Sequence, residues 1–312
     1  FYWAMMLVLL VTPFVAKDIK GSRSWVSLGF CNVQPAEFAK LLALMLAAAA
    51  LSVRVKRGQA ARIGNMQYLF ILLMAFLTEL EPDMGTACII IGVPIIMAVV
   101  VGLPKWHLRG MIGAVAAAML LMITIQPYRL NRIKIMLNPW SDAQGIGYQT
   151  VQSLSTIGSG GFWGMGLGDG VSKYEYLPEA HTDFAFAIFC QEHGYVGALM
   201  VFLLFGLLIL FCVRVANRAE DEFGQMLATG IMILIMGQAI ANLAMVGGMF
   251  AVVGVPLPFI SYGGSSLIVT MMAMGMLLNI CDHARTRKTG ELLQEDTSSK
   301  TDEEKPKLRL VK

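Results

Sequence analysis

Charged residues are scarce in this sequence, and its cysteines follow no recognisable pattern. Of its 312 residues, 14% are charged and 56% are hydrophobic, whereas a soluble domain has about 25% charged and about 45–50% apolar residues. This shortage of charge excludes a disordered chain and a single water-soluble core. The five cysteines show no CxxC or other metal-ligand spacing, so no zinc centre or disulfide framework is expected. The net charge of +3 is too small to indicate a nucleic-acid partner.

Long apolar runs make up most of the sequence. A helix needs roughly 20 mostly apolar residues to cross the hydrocarbon core of a bilayer. On this criterion the sequence predicts an all-α, polytopic membrane protein with eight transmembrane helices, at about 1–16, 35–53, 66–80, 84–103, 109–126, 184–213, 225–245 and 264–281. The first run starts at Phe1 without an initiator Met or preceding charges, so we expect the sequence to begin inside a longer protein.

Lysine and arginine are concentrated in every second connection between these runs. Cytoplasmic loops of membrane proteins carry the excess of these residues, so the connections around 54–62, 105–109, 214–218 and 285–288 are predicted to lie inside. The loops 17–34, 127–182 and 246–263 then face outward. We therefore expect a membrane domain over 1–281 and a cytoplasmic tail over 282–312, and the tail is predicted to be disordered because it is charged and lacks aromatic residues.

The outer loop 127–182 is too long to be a simple connector. Loops of this length are usually functional or disordered, and this one carries the glycine-rich run GSGGFWGMGLGDG, so we expect it to fold over the outer face. A helix from Asp183 to Arg214 would be about 46 Å long, against a hydrocarbon core of about 30 Å. It must either project outside the bilayer or bend near Gly194 and Gly197.

Several polar residues fall at the outer ends of predicted spans. Glu37 and Lys40 are one helical turn apart, which suits either an ion pair that fixes helix packing or a functional pair. Glu81 and Asp83 flank Pro82 at an outer turn, where the alternatives are a solvated turn with a helix cap and a functional site.

Two longer motifs lie at predicted helix entrances. YLPEAHTDF ends in Asp183, which suits either a helix cap or a functional carboxylate. VPLPFISYGGSS precedes the last span and suits either an irregular loop or a cradle of backbone N–H groups for an anionic head group.

The motifs together resemble one protein family. GSRSWVSLGFCNVQPAEFAK, EPDMGTA, the series NPW, GYQ, QSL and IGSGG, then YLPEAHTDFAFA and PLPFISYGGSSL are similar to the SEDS family (shape, elongation, division and sporulation), in order from about residue 20 to 281. Relatives have ten spans, so about two would precede Phe1. The resemblance favours the division type over the elongation type. The chain departs from the family pattern at Gln191-Glu192-His193-Gly194, where relatives have EELG, and at Phe184-Ala185-Phe186-Ala187, where they have FIFA.

The resemblance implies a peptidoglycan glycosyltransferase that polymerises lipid II on the outer face of the bacterial cytoplasmic membrane. The donor would be a glycan on undecaprenyl pyrophosphate, and Asp183 would be the base that activates the acceptor hydroxyl. Basic side chains, or a divalent cation such as Mg²⁺ or Mn²⁺, would offset the pyrophosphate charge, although no residue spacing indicates a metal site. The candidate substrate-binding residues are Arg23, Trp25, Glu37, Lys40, Asp83, Arg129, Glu179, His181, Ser261, Gly263 and Gly264.

Two other function classes compete with this one. A transporter that flips lipid II would suit the polar groups inside the spans, but alternating access predicts such groups near the midplane, where His193 is the best candidate. A scaffold for another enzyme is the third class. The resemblance implies a class B penicillin-binding protein, a transpeptidase, as partner, together with other membrane proteins of the division or elongation machinery.

Overall fold

The structure is a computed structural model that describes residues 2–19, 22–27, 29, 32–113, 117, 135–170, 177–252 and 254–303. Its helices and strands run in the order α1 (Tyr2–Val15), β1 (Lys17–Ile19), β2 (Ser22–Ser27), β3 (Asn32–Val33), α2 (Pro35–Lys56), α3 (Met66–Leu80), α4 (Met84–Val101), a 3-10 helix (Pro139–Asp142), α5 (Tyr148–Ser159), α6 (Ala185–Arg218), α7 (Glu222–Val246) and α8 (Gly264–Glu303). A further helical segment covers 105–113.

The predicted spans coincide with helices wherever the structure describes them. Five helical segments are long and apolar enough to cross a membrane: Pro35–Lys56, Met84–Val101, Ala185–Arg218, Glu222–Val246 and Gly264–Ala284. Trp3–Val15 and Met66–Leu80 are shorter apolar helices, and the predicted span 109–126 lies mostly outside the described residues. The chain is therefore a multi-pass membrane protein. The last helix continues to Glu303, into the segment predicted to be a disordered tail.

A small sheet interrupts the helical architecture just before α2. Strands β1, β2 and β3 pair antiparallel in that order, and Trp25 on the central strand lies opposite Lys17. Val26 on the same strand pairs with Val33 of β3. The sequence analysis missed this sheet because strands of two to six residues are too short to show a clear alternation of polar and apolar side chains.

Local sequence signals set the ends of several helices. Pro35 occupies the first turn of α2, where its missing N–H costs nothing. The Asp83 carboxylate caps α4 by accepting a 3.1 Å hydrogen bond from the Thr86 N–H, and Asp221 caps α7 in the same way through the Gly224 N–H at 3.0 Å. Proline and aspartate residues thus mark where these three helices begin.

The helices α2, α4 and α7 form the centre of the bundle. Their fully buried side chains interlock as a single core that includes Leu44, Leu51, Ile90, Met97, Ile231 and Ile235. Within its apolar span, 61% of α2 is buried, against 22% of α6. Exposed leucine and phenylalanine side chains along α6 therefore lie on the surface of the described bundle.

The helix α6 is broken at Gly194. This residue has φ 64° and ψ −162°, far from helical values, and only glycine adopts such a conformation readily. Of the two alternatives left open by the sequence, the structure shows the bend. A break leaves backbone groups of the preceding and following turns without helical partners, and such groups must be satisfied inside a membrane protein.

The glycine-rich loop supplies those partners. The N–H groups of Met165 and Gly166 donate to the carbonyls of Gln191 and Glu192, at 2.9 and 3.1 Å. In return the N–H groups of Tyr195 and Val196 donate to Gly161 and Phe162, at 3.0 and 3.3 Å. The loop approaches so closely that a Cβ on Gly164 would collide with the Glu192 carbonyl. The segment 161–166 is therefore fixed to the bundle through its backbone.

We predict that Gly194→Ala lowers the free energy of unfolding by about 1–3 kcal/mol, because alanine is strained at this backbone conformation. The alanine Cβ would also collide with the Gly164 nitrogen. The control is Gly206→Ala in the same helix, where an added Cβ has open space and alanine favours the helix by up to about 1 kcal/mol. Thermal unfolding in detergent compares the two variants. Equal stability of both would show that the break does not depend on glycine.

Candidate functional site in the outer loop region

A cavity of about 540 Å³ opens at the end of the bundle where α2 and α4 begin. Segments far apart in sequence meet there: the β2–α2 connection, the turn before α4, the start of α5, the entrance to α6 and the segment before α8. Six of the residues predicted from the sequence line it, namely Trp25, Glu37, Asp83, Glu179, Asp183 and Gly263. The volume is in the range of small-molecule sites.

Asp183 lies one residue before the cap position of α6, which is Phe184 and makes no side-chain capping bond. Its main-chain carbonyl accepts a 2.7 Å hydrogen bond from the side-chain amide of Asn242. The same amide nitrogen donates to the Val255 carbonyl at 2.7 Å. Asn242, which is fully buried, thus ties the entrance of α6 to the segment before α8.

A glycine on that second segment lies beside the Asp183 carboxyl group. Gly254 has φ 68°, and a Cβ there would lie 3.5 Å from Asp183 Oδ2. This left-handed backbone favours glycine. Gly254 and Asn242 thus both lie next to Asp183, and the Asn242 amide holds its main chain.

Asp83 both caps a helix and lines the cavity. While Oδ1 caps α4, Oδ2 accepts a 2.6 Å hydrogen bond from the Gln34 side-chain amide, which joins the start of α2 to the start of α4. The neighbouring Glu81 is fully buried, so the predicted alternative of a solvated turn is wrong for this residue. Burial, and secondly the Asp83 charge, raise the pKa of the Glu81 carboxyl to about 8, so that this carboxyl is mostly neutral at pH 7.

Glu37 and Lys40 form the ion pair that their spacing predicts. The Lys40 Nζ atom lies 2.8 Å from both carboxylate oxygens, and both side chains are almost fully buried. Glu37 lines the cavity, whereas Lys40 lies behind it. Removing either partner alone would leave a buried charge without its counterion.

The described lining is strongly acidic. It contains the carboxylates of Glu37, Asp83, Glu179 and Asp183 and no lysine or arginine. The Arg23 side chain and the whole of Arg129 lie outside the described residues. No three histidine, cysteine, aspartate or glutamate side chains in the described part of the chain could hold a metal ion together.

Four predicted residues do not line the cavity. Lys40 is buried in its ion pair, and His181 is exposed, although its carbonyl accepts a 2.9 Å bond from the Tyr262 N–H. The Ser261 hydroxyl accepts from the Leu257 N–H at 2.8 Å and so shapes the loop from within. Gly264 begins α8.

The sequence analysis missed several polar residues of this site. Gln34, Gln149, Thr150, Thr182, Tyr262 and Ser266 line the cavity, and Asn242 supports it from within α7. Gln34 had a usable signal, since it directly precedes a proline that starts a helix. Asn242 had none, because its partners lie on other segments.

We predict that Asn242→Leu lowers the free energy of unfolding by about 1–3 kcal/mol for each of the two buried carbonyls left without a donor. The control is Gln238→Leu, one turn earlier on α7, because the buried Gln238 amide nitrogen makes no hydrogen bond. That change should cost less than about 1 kcal/mol. Denaturant titration in detergent measures both, and equal losses would contradict the proposed tie.

Comparison with known proteins agrees with this architecture. The model of the FtsW/RodA/SpoVE family of cell cycle proteins matches residues 1–286. The stage V sporulation protein E of Bacillus subtilis is 41% identical, over 90% of this chain and 77% of that protein. A protein of Trichlorobacter lovleyi, named as a probable peptidoglycan glycosyltransferase FtsW, is 39% identical, over 88% of this chain and 73% of that protein.

Solved structures give the same result. A chain in a peptidoglycan synthase complex, described as coordinating polymerization and crosslinking, superposes with a TM-score of 0.74 at 31% identity, covering 89% of this chain and 78% of that one. The rod shape determining protein RodA of Thermus thermophilus superposes with a TM-score of 0.61 at 28% identity, covering 89% and 75%. The SEDS resemblance found in the sequence is thereby confirmed, and the chain belongs to the FtsW/RodA/SpoVE family of cell cycle proteins.

Proposed function

We propose that this chain, a peptidoglycan glycosyltransferase by its relatives, polymerises lipid II in the Asp183 cavity on the outer face of the bacterial cytoplasmic membrane. The observation that carries the proposal is the convergence of Asp183 with three further carboxylates in one cavity of about 540 Å³. The names of the relatives, FtsW and a sporulation protein, favour a role in division over elongation.

The reaction needs a base at the acceptor hydroxyl. A carboxylate in the position of Asp183 takes the proton of the GlcNAc 4-hydroxyl. At the same time the hydroxyl oxygen forms a bond to the anomeric carbon of the donor sugar. The bond from that carbon to the pyrophosphate oxygen breaks, and undecaprenyl pyrophosphate leaves with the electron pair. Positioned general bases contribute about 10²–10⁴-fold to rates, and the Asn242 amide holds the main chain that carries this base.

The leaving group requires positive charge that the described lining does not provide. Arg23, on the strand that also carries Trp25, and Arg129, at the start of the large outer loop, are the candidate cations for the pyrophosphate. The four carboxylates then repel anionic groups from the rest of the cavity. Trp25 and Tyr262 offer flat surfaces for a sugar ring or an isoprenyl chain.

A partner enzyme follows from the same comparison. Polymerization and crosslinking are coordinated in the peptidoglycan synthase complex, and one chain of that complex resembles this protein. We therefore propose a class B penicillin-binding protein, a transpeptidase, as the partner that crosslinks the new strands.

The transporter alternative makes a different prediction about the membrane midplane. The described cavity lies at one end of the bundle, and His193, the candidate midplane group, is stacked on Phe189 at 4.4 Å, with Nδ1 3.2 Å from the Phe189 carbonyl. Liposomes that carry lipid II on one side separate the classes. Glycan chains indicate a polymerase, whereas lipid transfer without chains indicates a transporter.

We predict that Asp183→Asn folds normally and loses about 10²–10⁴-fold in polymerisation rate, because asparagine has the shape of aspartate without its basicity. The measurement is lipid II polymerisation by the purified variant with its transpeptidase partner, with thermal stability alongside. Asp221→Asn is the matched control, since Asp221 only caps α7 and asparagine caps equally well. Activity of Asp183→Asn within a few-fold of the parent would redirect the search to Glu179 and Asp83.

The orientation of the chain in the membrane can be tested separately. We predict that a membrane-impermeant maleimide labels Gln144→Cys from outside intact cells but does not label Gln59→Cys, because the loop of Gln59 is rich in arginine. Both positions are exposed in the structure. Ser153 would be unsuitable, because it is fully buried and donates to the Val246 carbonyl at 2.7 Å. The parent chain gives the background from its five cysteines, and reversed labelling would place the Asp183 cavity inside.

A further inference from the structure

A second, smaller cavity lies at the opposite end of α2. Its volume is about 190 Å³, and it lies where the end of α2 meets the start of α3. Arg54 follows Glu37 by seventeen residues on this helix, so about 26 Å of helix separates it from the Asp183 cavity. The cavity is lined by Ala49, Ala50, Val53, Arg54, Arg57, Gln59, Asn65 and Gln67.

The polar side of this cavity is built from donors and carries net positive charge. It presents two guanidinium groups and three side-chain amides, and no carboxylate. The sequence has no aspartate or glutamate between Glu37 and Glu79, so no acidic residue nearby in the chain neutralises the arginines. Arg54 uses one N–H group on the Ala60 carbonyl at 3.2 Å, which fixes its side chain and leaves further donors. This donor set suits a planar or tetrahedral oxyanion.

The start of α3 adds to this preference. Asn65 occupies the cap position of α3 but makes no capping bond with its side chain. The N–H groups of the first helical turn are therefore available to another acceptor, and a helix N-terminus carries partial positive charge. The helix end and the two arginines thus favour a negative ligand from different directions.

The apolar side of the cavity continues along the membrane-facing surface of α2. Ala49 and Val53 form part of the wall, and Leu42 and Met45 precede them on the same helical face, since the spacings are three and four residues. All four are partly exposed, and Val53 is 50% exposed. A ligand whose anionic group sits between the arginines can therefore extend an acyl chain along this stripe.

We propose that this cavity binds the phosphate group of an anionic phospholipid, with Arg54 and Arg57 as its principal contacts. The shared chemistry is a phosphate, which a lipid head group or free phosphate can supply, and the apolar stripe favours the lipid. The site is independent of the proposed polymerisation chemistry, because it lies at the other membrane boundary.

The test is thermal unfolding of the full chain in detergent at 0.15 M salt, titrated with dioleoylphosphatidylglycerol, dioleoylphosphatidylcholine or inorganic phosphate. We expect phosphatidylglycerol to raise the melting temperature in a saturable way and phosphatidylcholine to act at least tenfold more weakly. In R54Q/R57Q the apparent Kd for phosphatidylglycerol should rise by at least about tenfold, since loss of a charge-assisted hydrogen bond to a phosphate costs roughly tenfold or more.

The matched control is R214Q/R218Q. Glu37 and Asp183 line the same cavity, so α2 and α6 run away from it together, and these exposed arginines lie near the far end of α6. This control should leave the apparent Kd within about twofold. An equal loss in both double variants, or equal effects of the two lipids, would overturn the proposal. A response to inorganic phosphate that phosphatidylglycerol does not exceed would overturn the lipid assignment.

Discussion

The backbone hydrogen bonds that close the break in α6 are the constraint on which the docking of the glycine-rich loop depends. A membrane helix cannot leave its N–H and carbonyl groups unpaired, so the interruption at Gly194 is possible only because Gly161–Gly166 returns four hydrogen bonds to it. The same bonds attach the large outer loop to the bundle. The break in the helix and the docked loop therefore require each other. Their close approach requires glycine on both sides, at Gly164 and Gly194.

The position of the site depends on a second set of hydrogen bonds, which the Asn242 side chain makes. The buried amide of Asn242 has two carbonyls as partners of its nitrogen, on Asp183 and on Val255, and this fixes which way the amide points. Two irregular segments, each outside a regular helix, are thereby held against α7. The main chain of Asp183 is thereby held at the cavity without being part of a helix.

Charge is distributed unequally between the two ends of the bundle. The described lining of the Asp183 cavity carries four carboxylates, of which Glu37 is paired with Lys40. The cavity at the end of α2 is lined by arginines and amides. Burial keeps the pKa of Glu81 high enough that this carboxyl adds little negative charge near Asp83 at neutral pH. The described lining of one cavity is thus acidic, and that of the other is basic.

The sequence by itself determined the membrane class, the family and the positions of the apolar helices that the structure describes, because apolar length and long motifs are properties of consecutive residues. It also indicated the Glu37–Lys40 pair, whose partners lie one turn apart. Only the tertiary structure decided that α6 bends instead of projecting, that Gln34 reaches Asp83 and that Asn242 holds Asp183. These contacts join residues 26 to 59 positions apart, and no local pattern encodes a partner at that distance.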